Sequence, residues 1–423
     1  MRRRAFLMAA GAAALSPWNT RAQASLGTLA WVEDVAGGSL WVRDLPDGPP
    51  LKLAAAGGLY SPRFSPSGQW IAFQDQADKQ WIVARDGQAV GAEQLPPEDR
   101  SLLHSNGVFA PDGQRNVFSR VVPGKSGDDS RIGQLCMASL AAPADPEPQV
   151  LVTNEQGEMQ PYAWTRDGKS IIYWSADEFS ASTWSDGVPL KIVNVQTGMV
   201  RDLGVSALAD EDMLDLAPSS AGNKLAVTDG DGRETWAGKR VAIIDLDTGA
   251  VRHFFPKDVA SMCPSWSPDG SRIVCSAGPD ADIAYNKANA GRTYTVVRPD
   301  GSKAIETITP DSNIGIGGGE EAHVYLQQRK IWLLDVTGGN PPKQLTSDAR
   351  HRDEEPMWSR DGSHILFARM DYDGYQSLWL MEASGANAVE VCRVQVSDDF
   401  GNPDSWFGYY GYINWRKGFD WRR

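Results

Sequence analysis

The sequence predicts an all-β chain of repeated four-stranded antiparallel sheets, and three observations predict it. The first is a phrase that returns along the chain: an aromatic residue, a Pro-Asp-Gly-like turn and a short apolar run, as in Trp266-Ser267-Pro268-Asp269-Gly270 followed by Ile273-Val274. The second is its spacing. The turn glycines stand at 68, 113, 168, 222, 270 and 362, steps that suit four short strands with their turns, save for one gap of about double length. The third is composition: 42 Gly, 26 Pro and 16 Trp among 423 residues favour tight turns and aromatic anchors over long helices. A single four-stranded sheet cannot bury both of its faces, so such units stack radially, and the expected fold is a β-propeller.

Taken in order, residues 1–24 stand outside the repeats. Arg2-Arg3-Arg4, the apolar stretch Ala5 to Leu15 and the small residues Ala22-Gln23-Ala24 read as an export signal. The apolar stretch is shorter than the ~20 residues a bilayer span needs. Arg3-Arg4-Ala5-Phe6-Leu7 resembles the twin-arginine export motif. Residues 25–423 are then expected as a single exported domain, periplasmic or otherwise outside the cytoplasm, monomeric and without a transmembrane segment.

The domain opens on Thr28–Val32, Ser39–Arg43 and Pro50–Leu53, which read as second, third and fourth strands lacking a first. Copies of the phrase follow at Ser61–Phe73, Phe109–Phe118, Pro161–Gly168, Asp215–Gly222, Pro264–Gly270 and Pro356–Gly362. In each, the aromatic lies on the first strand, the turn closes a hairpin and the apolar run is the second strand. The double gap between Gly270 and Gly362 calls for a degenerate copy, and Ile314-Gly315-Ile316, His323–Leu326 and Ile331–Leu334 fill the slot. Gly411–Trp415, with Lys417-Gly418 as its turn, supplies the strand missing at the start, so the two ends complete one blade between them and leave no open edge. The count is eight blades, or seven if the degenerate copy is a long loop.

These phrases are similar to the repeats of the TolB-type propellers, also called Trp-Asp-like repeats, whose usual form is an aromatic followed by Ser-Pro-Asp-Gly and an Ile-Ala-Phe-like strand. The resemblance covers nearly all of residues 26–423 and is closest at Pro264–Val274. It implies an extracytoplasmic propeller that binds a protein or peptide. The chain departs from TolB in starting its strand pattern near residue 28, with no preceding α/β domain, and in being longer than six blades require.

A net charge of -13 argues against nucleic acid, whose phosphates need a basic footprint. Function is expected on one rim, where the long second-to-third connections (Val121 to Arg131, Ala176 to Val188, Asp229 to Lys239, Ala277 to Arg292) and the fourth-to-first connections both open. The latter carry His104, Glu158, Asp210-Glu211-Asp212 with Asp215, Glu320-Glu321 and His351-Arg352-Asp353-Glu354-Glu355, an acidic channel mouth suited to a cation, a metal ion or a basic peptide, or simply a set of solvated loop charges. Loop aromatics Phe179, Trp184, Trp236 and Tyr285 offer a stacking platform. Trp406, Phe407, Tyr409, Tyr410 and Tyr412 read as packing for the closing strand. The expected ligand-binding set is His104, Trp184, Asp212, Trp236, Glu321, His351, Asp353 and Glu355.

Enzyme templates fare less well. No Gly-x-Ser-x-Gly elbow, His-Glu-x-x-His, Walker or dinucleotide fingerprint occurs, and little chain remains after the repeats for a hydrolase domain. The repeats also resemble those of the oligogalacturonate lyases, which implies a metal held by channel histidines. Here the stretch before Trp358 reads Asp353-Glu354-Glu355-Pro356, so that reading rests on His104, His323, His351 and Glu355. Asp229-Gly230-Asp231-Gly232 with Glu234, and Asp371-Tyr372-Asp373-Gly374, place oxygens two residues apart as calcium loops do, without completing the pattern, and tight acidic turns account for them as well. Cys263 and Cys275 flank one hairpin and would form a disulfide only if their register matches; Cys136 and Cys392 read as small buried residues. The sequence therefore favours a cell-envelope protein- or peptide-binding module with no cofactor. The alternative is a divalent-metal enzyme, a lyase or hydrolase of a carbohydrate or ester, centred on the channel mouth.

Overall fold

The computed structural model describes residues 25–423 apart from 34–37, 56–58, 76, 78, 92–93, 97–98, 100–106, 125–130, 140–146, 181–182, 313, 317–319, 395 and 397–406. The expected export signal and His104 lie outside the described residues. The strands fall into seven blade-like sheets and one separate hairpin. Blade 1 is composite: Phe419–Arg422 is innermost, followed outward by Thr28–Val32, Ser39–Asp44 and Leu51–Ala55. Blade 2 has three strands, Tyr60–Phe64, Trp70–Gln74 and Gln80–Ala84. Blade 3 begins at Gly107–Phe109, blade 4 at Met159–Trp164, blade 5 at Leu214–Leu216, blade 6 at Val259–Trp266 and blade 7 at Arg352–Trp358, each with four antiparallel strands.

The repeated phrase builds both the turn and the joint between blades. In blades 4, 6 and 7 the hydroxyls of Thr165, Ser267 and Ser359 donate to the aspartate two residues on, at 2.7, 2.6 and 2.7 Å. Each hydroxyl also accepts the amide N–H that starts the next strand, from Ser170, Arg272 and His364. The turn glycine of each of the six spaced repeats has φ between +66° and +83°, a conformation that only glycine adopts without a Cβ penalty. The anchor indoles of Trp164 and Trp266 donate to the carbonyls of Val108 and Asp215, on the inner strand of the preceding blade, both at 3.0 Å. Apolar clusters then join neighbouring blades: Ala226, Ile243, Trp266 and Ile273 between blades 5 and 6, and Val274, Ile331, Trp358 and Ile365 between blades 6 and 7.

Two expectations are corrected. The blade count is seven among the described residues, not eight. Arg272–Pro279 pairs directly with Lys330–Asp335, Cys275 opposite Trp332, so Ile331–Leu334 is the third strand of blade 6. The excursion between them holds a helix at Ala281–Ala288, the separate hairpin Thr293–Val297/Lys303–Thr307 and a second helix at Glu320–Leu326, which takes up His323–Leu326. The ends do latch one blade, but through Phe419–Arg422 rather than Gly411–Trp415; Trp31 lies opposite Phe419 and Leu29 opposite Trp421. Trp415–Lys417 forms a single 3-10 turn instead, and the preceding segment crosses the channel mouth. No helix among the described residues is long and apolar enough to cross a membrane.

Candidate functional site

The inner strands of blades 2, 4, 5, 6, 7 and 1 surround a central cavity of about 600 Å³. Its shape follows from a recurrent X-Pro pair. Ser61-Pro62, Cys263-Pro264 and Glu355-Pro356 occupy the same place in their blades, and in each the first residue is left-handed, with φ of 52°, 53° and 48°. Proline has no N–H for the ladder, so pairing skips here: register shifts fall between Tyr60 and Arg63, Met262 and Ser265, and Glu354 and Met357. The bulges re-aim side chains, and Cys263 and Glu355 join Asp212 in the cavity wall. One ligating atom from each of the three lies within 4.8 Å of the others, and all three residues are buried.

The segment 407–418 lies over the cavity on polar contacts that are part-buried, save for the buried bond of Trp415. Tyr412 Oη donates to the Asp212 carboxylate at 3.0 Å, Asn414 Nδ2 to Asp210 at 2.8 Å, Trp415 Nε1 to Glu354 at 3.0 Å and Arg416 Nε to Glu355 at 2.5 Å. Beneath it, Glu354 lies between the buried guanidiniums of Arg329 and Arg352. Basic groups thus offset part of the acidity that the sequence suggests: Arg63, Arg416, Lys417 and Arg423 line the cavity beside Asp210, Glu211, Asp212, Asp215, Glu355 and Asp420.

Burial dominates the chemistry of these acids. It pushes Asp210 up to about 6, against the opposing hydrogen bond from Tyr412, and raises Asp212 well above the ordinary carboxylate range, with the charges of Glu355 and Asp210 adding to the effect. Asp215 and Asp420 are raised by burial although each accepts a backbone N–H, from Trp266 at 2.6 Å and from Phe64 at 2.7 Å. The Cys263 thiol is pushed up by burial and then by Asp212 and Glu355. A carboxyl whose pKa is higher folded than unfolded binds its proton sooner in the native state, so it destabilises the fold at neutral pH and that cost is relieved as pH falls. For the partly buried Asp210, at about 1.4 kcal/mol per pH decade, the relief is at most about 3 kcal/mol between pH 7 and pH 4. The melting temperature is therefore expected to rise as chelator-treated protein is taken from pH 7.5 to pH 5. Asp210→Asn should flatten that rise; a melting temperature falling steadily from pH 7.5 to pH 5 would contradict it.

The remaining sequence-predicted residues are dispersed. Trp236 is not on a binding surface: it is 2% exposed, packs on Phe407 at 5.5 Å between centroids and belongs to the core with Ala281, Leu326 and Met357. Asp353 is no free ligand either, being fully buried in a two-bond pair with Arg369 at 2.7 and 3.1 Å. His351 pairs with Asp348 at 3.1 Å, outside the cavity lining, and His323 packs against Phe407 with ring centroids 4.4 Å apart and planes tilted by 44°. Neither joins Glu355 in a metal-binding group among the described residues. Glu321 lies in the helix Glu320–Leu326, and its side chain is outside the described residues. Cys263 and Cys275 are free thiols, because the bulge turns Cys263 to the channel while Cys275 packs between blades 5 and 6. The Asp229–Glu234 loop already holds a cation of the chain itself, since the buried Lys239 ammonium donates to the carbonyls of Gly230 and Gly232.

Trp184 is half-buried and lines a second cavity, of about 460 Å³, that shares Asp210 and Asn414 with the channel. Leu208, Arg233, Tyr409, Tyr412 and Ile413 complete much of its wall. Tyr409 is 57% exposed, and Arg233 stands over the Tyr410 ring while paired with Asp186 at 2.7 Å. The sequence assigned the aromatics at 407–412 to packing; part of that set instead edges this cleft.

No protein-family model matches the chain, and neither does any curated protein sequence. Among solved structures, one from a study of two prolyl endopeptidases matches at 13% identity over 90% of this chain and 50% of that one, with a TM-score of 0.51. TolB from Acinetobacter baumannii matches at 18% identity over 60% of this chain and 61% of that one, TM-score 0.37, and an oligogalacturonate lyase in complex with manganese at 14% over 90% and 89%, TM-score 0.46. The chain thus spans half the length of the endopeptidase and about three fifths of TolB. At these identities the likeness is one of fold: a β-propeller of four-stranded antiparallel blades.

Proposed function

We propose that this chain is an exported propeller that binds a protein or peptide of the cell envelope on its long-loop rim, in the cleft at Trp184. The observation that carries this reading is the cleft itself, where Trp184, Tyr409 and Tyr412 from distant parts of the chain meet around a cavity with Asp210, Arg233 and Lys417 at its edges. Flat rings give large contact area at small rotamer cost, and adjacent acid and base fix the direction of a peptide. The basic amino-terminal stretch and Ala22-Gln23-Ala24 support export before binding.

Cross-linking capture from an envelope extract tests it. Trp184→Ala and Tyr409→Ala should each lower affinity for the captured partner roughly 30-fold, the loss of an anchor worth about 2 kcal/mol, with circular dichroism unchanged. A partner retained at equal affinity by both variants would refute the assignment of this cleft.

A further inference from the structure

We infer that Asp212, Cys263 and Glu355 form a binding site for one divalent transition-metal ion of the zinc class at the wall of the central channel. Three residues from separate blades, each able to supply one ligand, converge within 4.8 Å. A second observation points to a missing ligand. Glu355 is 2% exposed, Arg416 takes its Oε1 at 2.5 Å, and its Oε2 is buried without a hydrogen bond from any N–H or hydroxyl, with the Asp212 carboxyl as the neighbour able to share a proton with Glu355. An orphaned carboxylate oxygen is costly in a protein interior, and a bound cation removes the cost.

The donor set selects the ion. One thiolate with two carboxylates suits a borderline-soft ion of tetrahedral habit better than calcium or magnesium, which take oxygen alone. With bonds of ~2.3 Å to sulfur and ~2.0 Å to oxygen, neighbouring ligand atoms sit roughly 3.3–3.5 Å apart. Cys263 Sγ already lies 3.8 Å from Asp212 Oδ2, so that pair needs only a small contraction, and no pair of the three, all within 4.8 Å, must close by more than about 1.5 Å. The ligands are also held in place. Tyr412 Oη fixes the Asp212 carboxylate, Thr228 Oγ1 accepts the Cys263 backbone N–H at 3.1 Å, and Arg416 leaves only Oε2 of Glu355 to bind. On binding, the Cys263 thiol and the Asp212 carboxyl each release to solvent the proton they hold, and the sulfur and one Asp212 oxygen take the metal in its place. Because the 600 Å³ cavity adjoins the site, a fourth position faces space open to a water or small anion.

Chelator-treated full-length protein is titrated with Zn²⁺ by calorimetry and, separately, with Co²⁺ by absorption spectroscopy. The expected result is one ion per chain, a raised melting temperature and a thiolate-to-cobalt charge-transfer band. Cys263→Ser should abolish the band and weaken Zn²⁺ at least tenfold. Asp212→Asn should weaken Zn²⁺ to a similar degree while keeping circular dichroism unchanged. No stoichiometric binding, or binding and a band that survive Cys263→Ser, would overturn the site. These readouts do not involve Trp184 or Tyr409, so failure here leaves the proposed cleft untouched.

Discussion

Deleting residues 419–423 is expected to abolish the folded state, or to leave it so weak that it melts near room temperature. Phe419–Arg422 is the innermost strand of blade 1, and its loss strips the inner edge of Thr28–Val32, every residue of which is buried, leaving it paired with Ser39–Asp44 alone. It also removes Phe419 and Trp421, 1% and 3% exposed, from the core shared by blades 7 and 1. Truncating a buried aromatic costs roughly 3–5 kcal/mol, and two of them approach the whole of a typical stability of about 5–15 kcal/mol. The neighbouring blade suffers too, since Asp420 Oδ2 accepts the Phe64 N–H of blade 2. Urea unfolding and gel filtration of the truncated chain are the measurement, with Trp421→Ala as the graded variant expected to lose about 3–5 kcal/mol. A truncated chain with a urea midpoint close to that of the full chain would show that packing between blades, and not the latch, holds blade 1 in place.

The latch was legible because the amino-terminal strands lacked a partner and an aromatic segment stood at the other end. Its register was not. Gly411–Trp415 and Phe419–Trp421 carry equivalent aromatic patterns, and the choice between them is made by tertiary polar contacts of Tyr412, Trp415 and Arg416 that no local pattern encodes. The missing eighth blade has a similar cause. Ile331–Leu334 is a sound strand pattern, but nothing in those residues says that their partner is Arg272–Pro279, on the far side of a fifty-residue excursion.

The candidate site divides in the same way. Asp212 and Glu355 were picked out as acids of the inner strand entries, whereas Cys263 was read for a disulfide. The signal that would have found it is the repeated X-Pro pair, present in the sequence at 61–62, 263–264 and 355–356. Read as a bulge, each pair places its first residue out of the strand's alternation and toward the axis. Trp236 failed for the opposite reason. A tryptophan in a long loop reads as exposed unless one knows that segment 407–411 folds back over it, with Thr235 N–H donating to the Tyr410 carbonyl at 3.0 Å.

Glu354→Gln is expected to destabilise the protein by about 3–5 kcal/mol, the penalty for leaving a buried charge without its counter-ion. Arg329 and Arg352 are 4% and 0% exposed at their side chains, and Glu354 is the carboxylate that contacts both. Burial by itself would raise the Glu354 pKa; the two guanidiniums outweigh it and leave the group below its ordinary range, so it stays ionised. The arginines also donate to backbone carbonyls: Arg329 to Thr235 at 2.8 Å, and Arg352 to Phe407 at 3.3 Å and to Gly411. Glu354 thereby anchors the segment that roofs the channel, and Trp415 adds its indole N–H to the other carboxylate oxygen. The amide of glutamine keeps the shape and one acceptor but not the charge, so the variant separates electrostatics from packing. The readouts are the urea midpoint and the rate of protease nicking within 407–418, the first falling and the second rising. If both stay at wild-type values, the carbonyls of Thr235, Phe407 and Gly411 suffice to hold two buried guanidiniums, and the roof does not depend on the carboxylate beneath it.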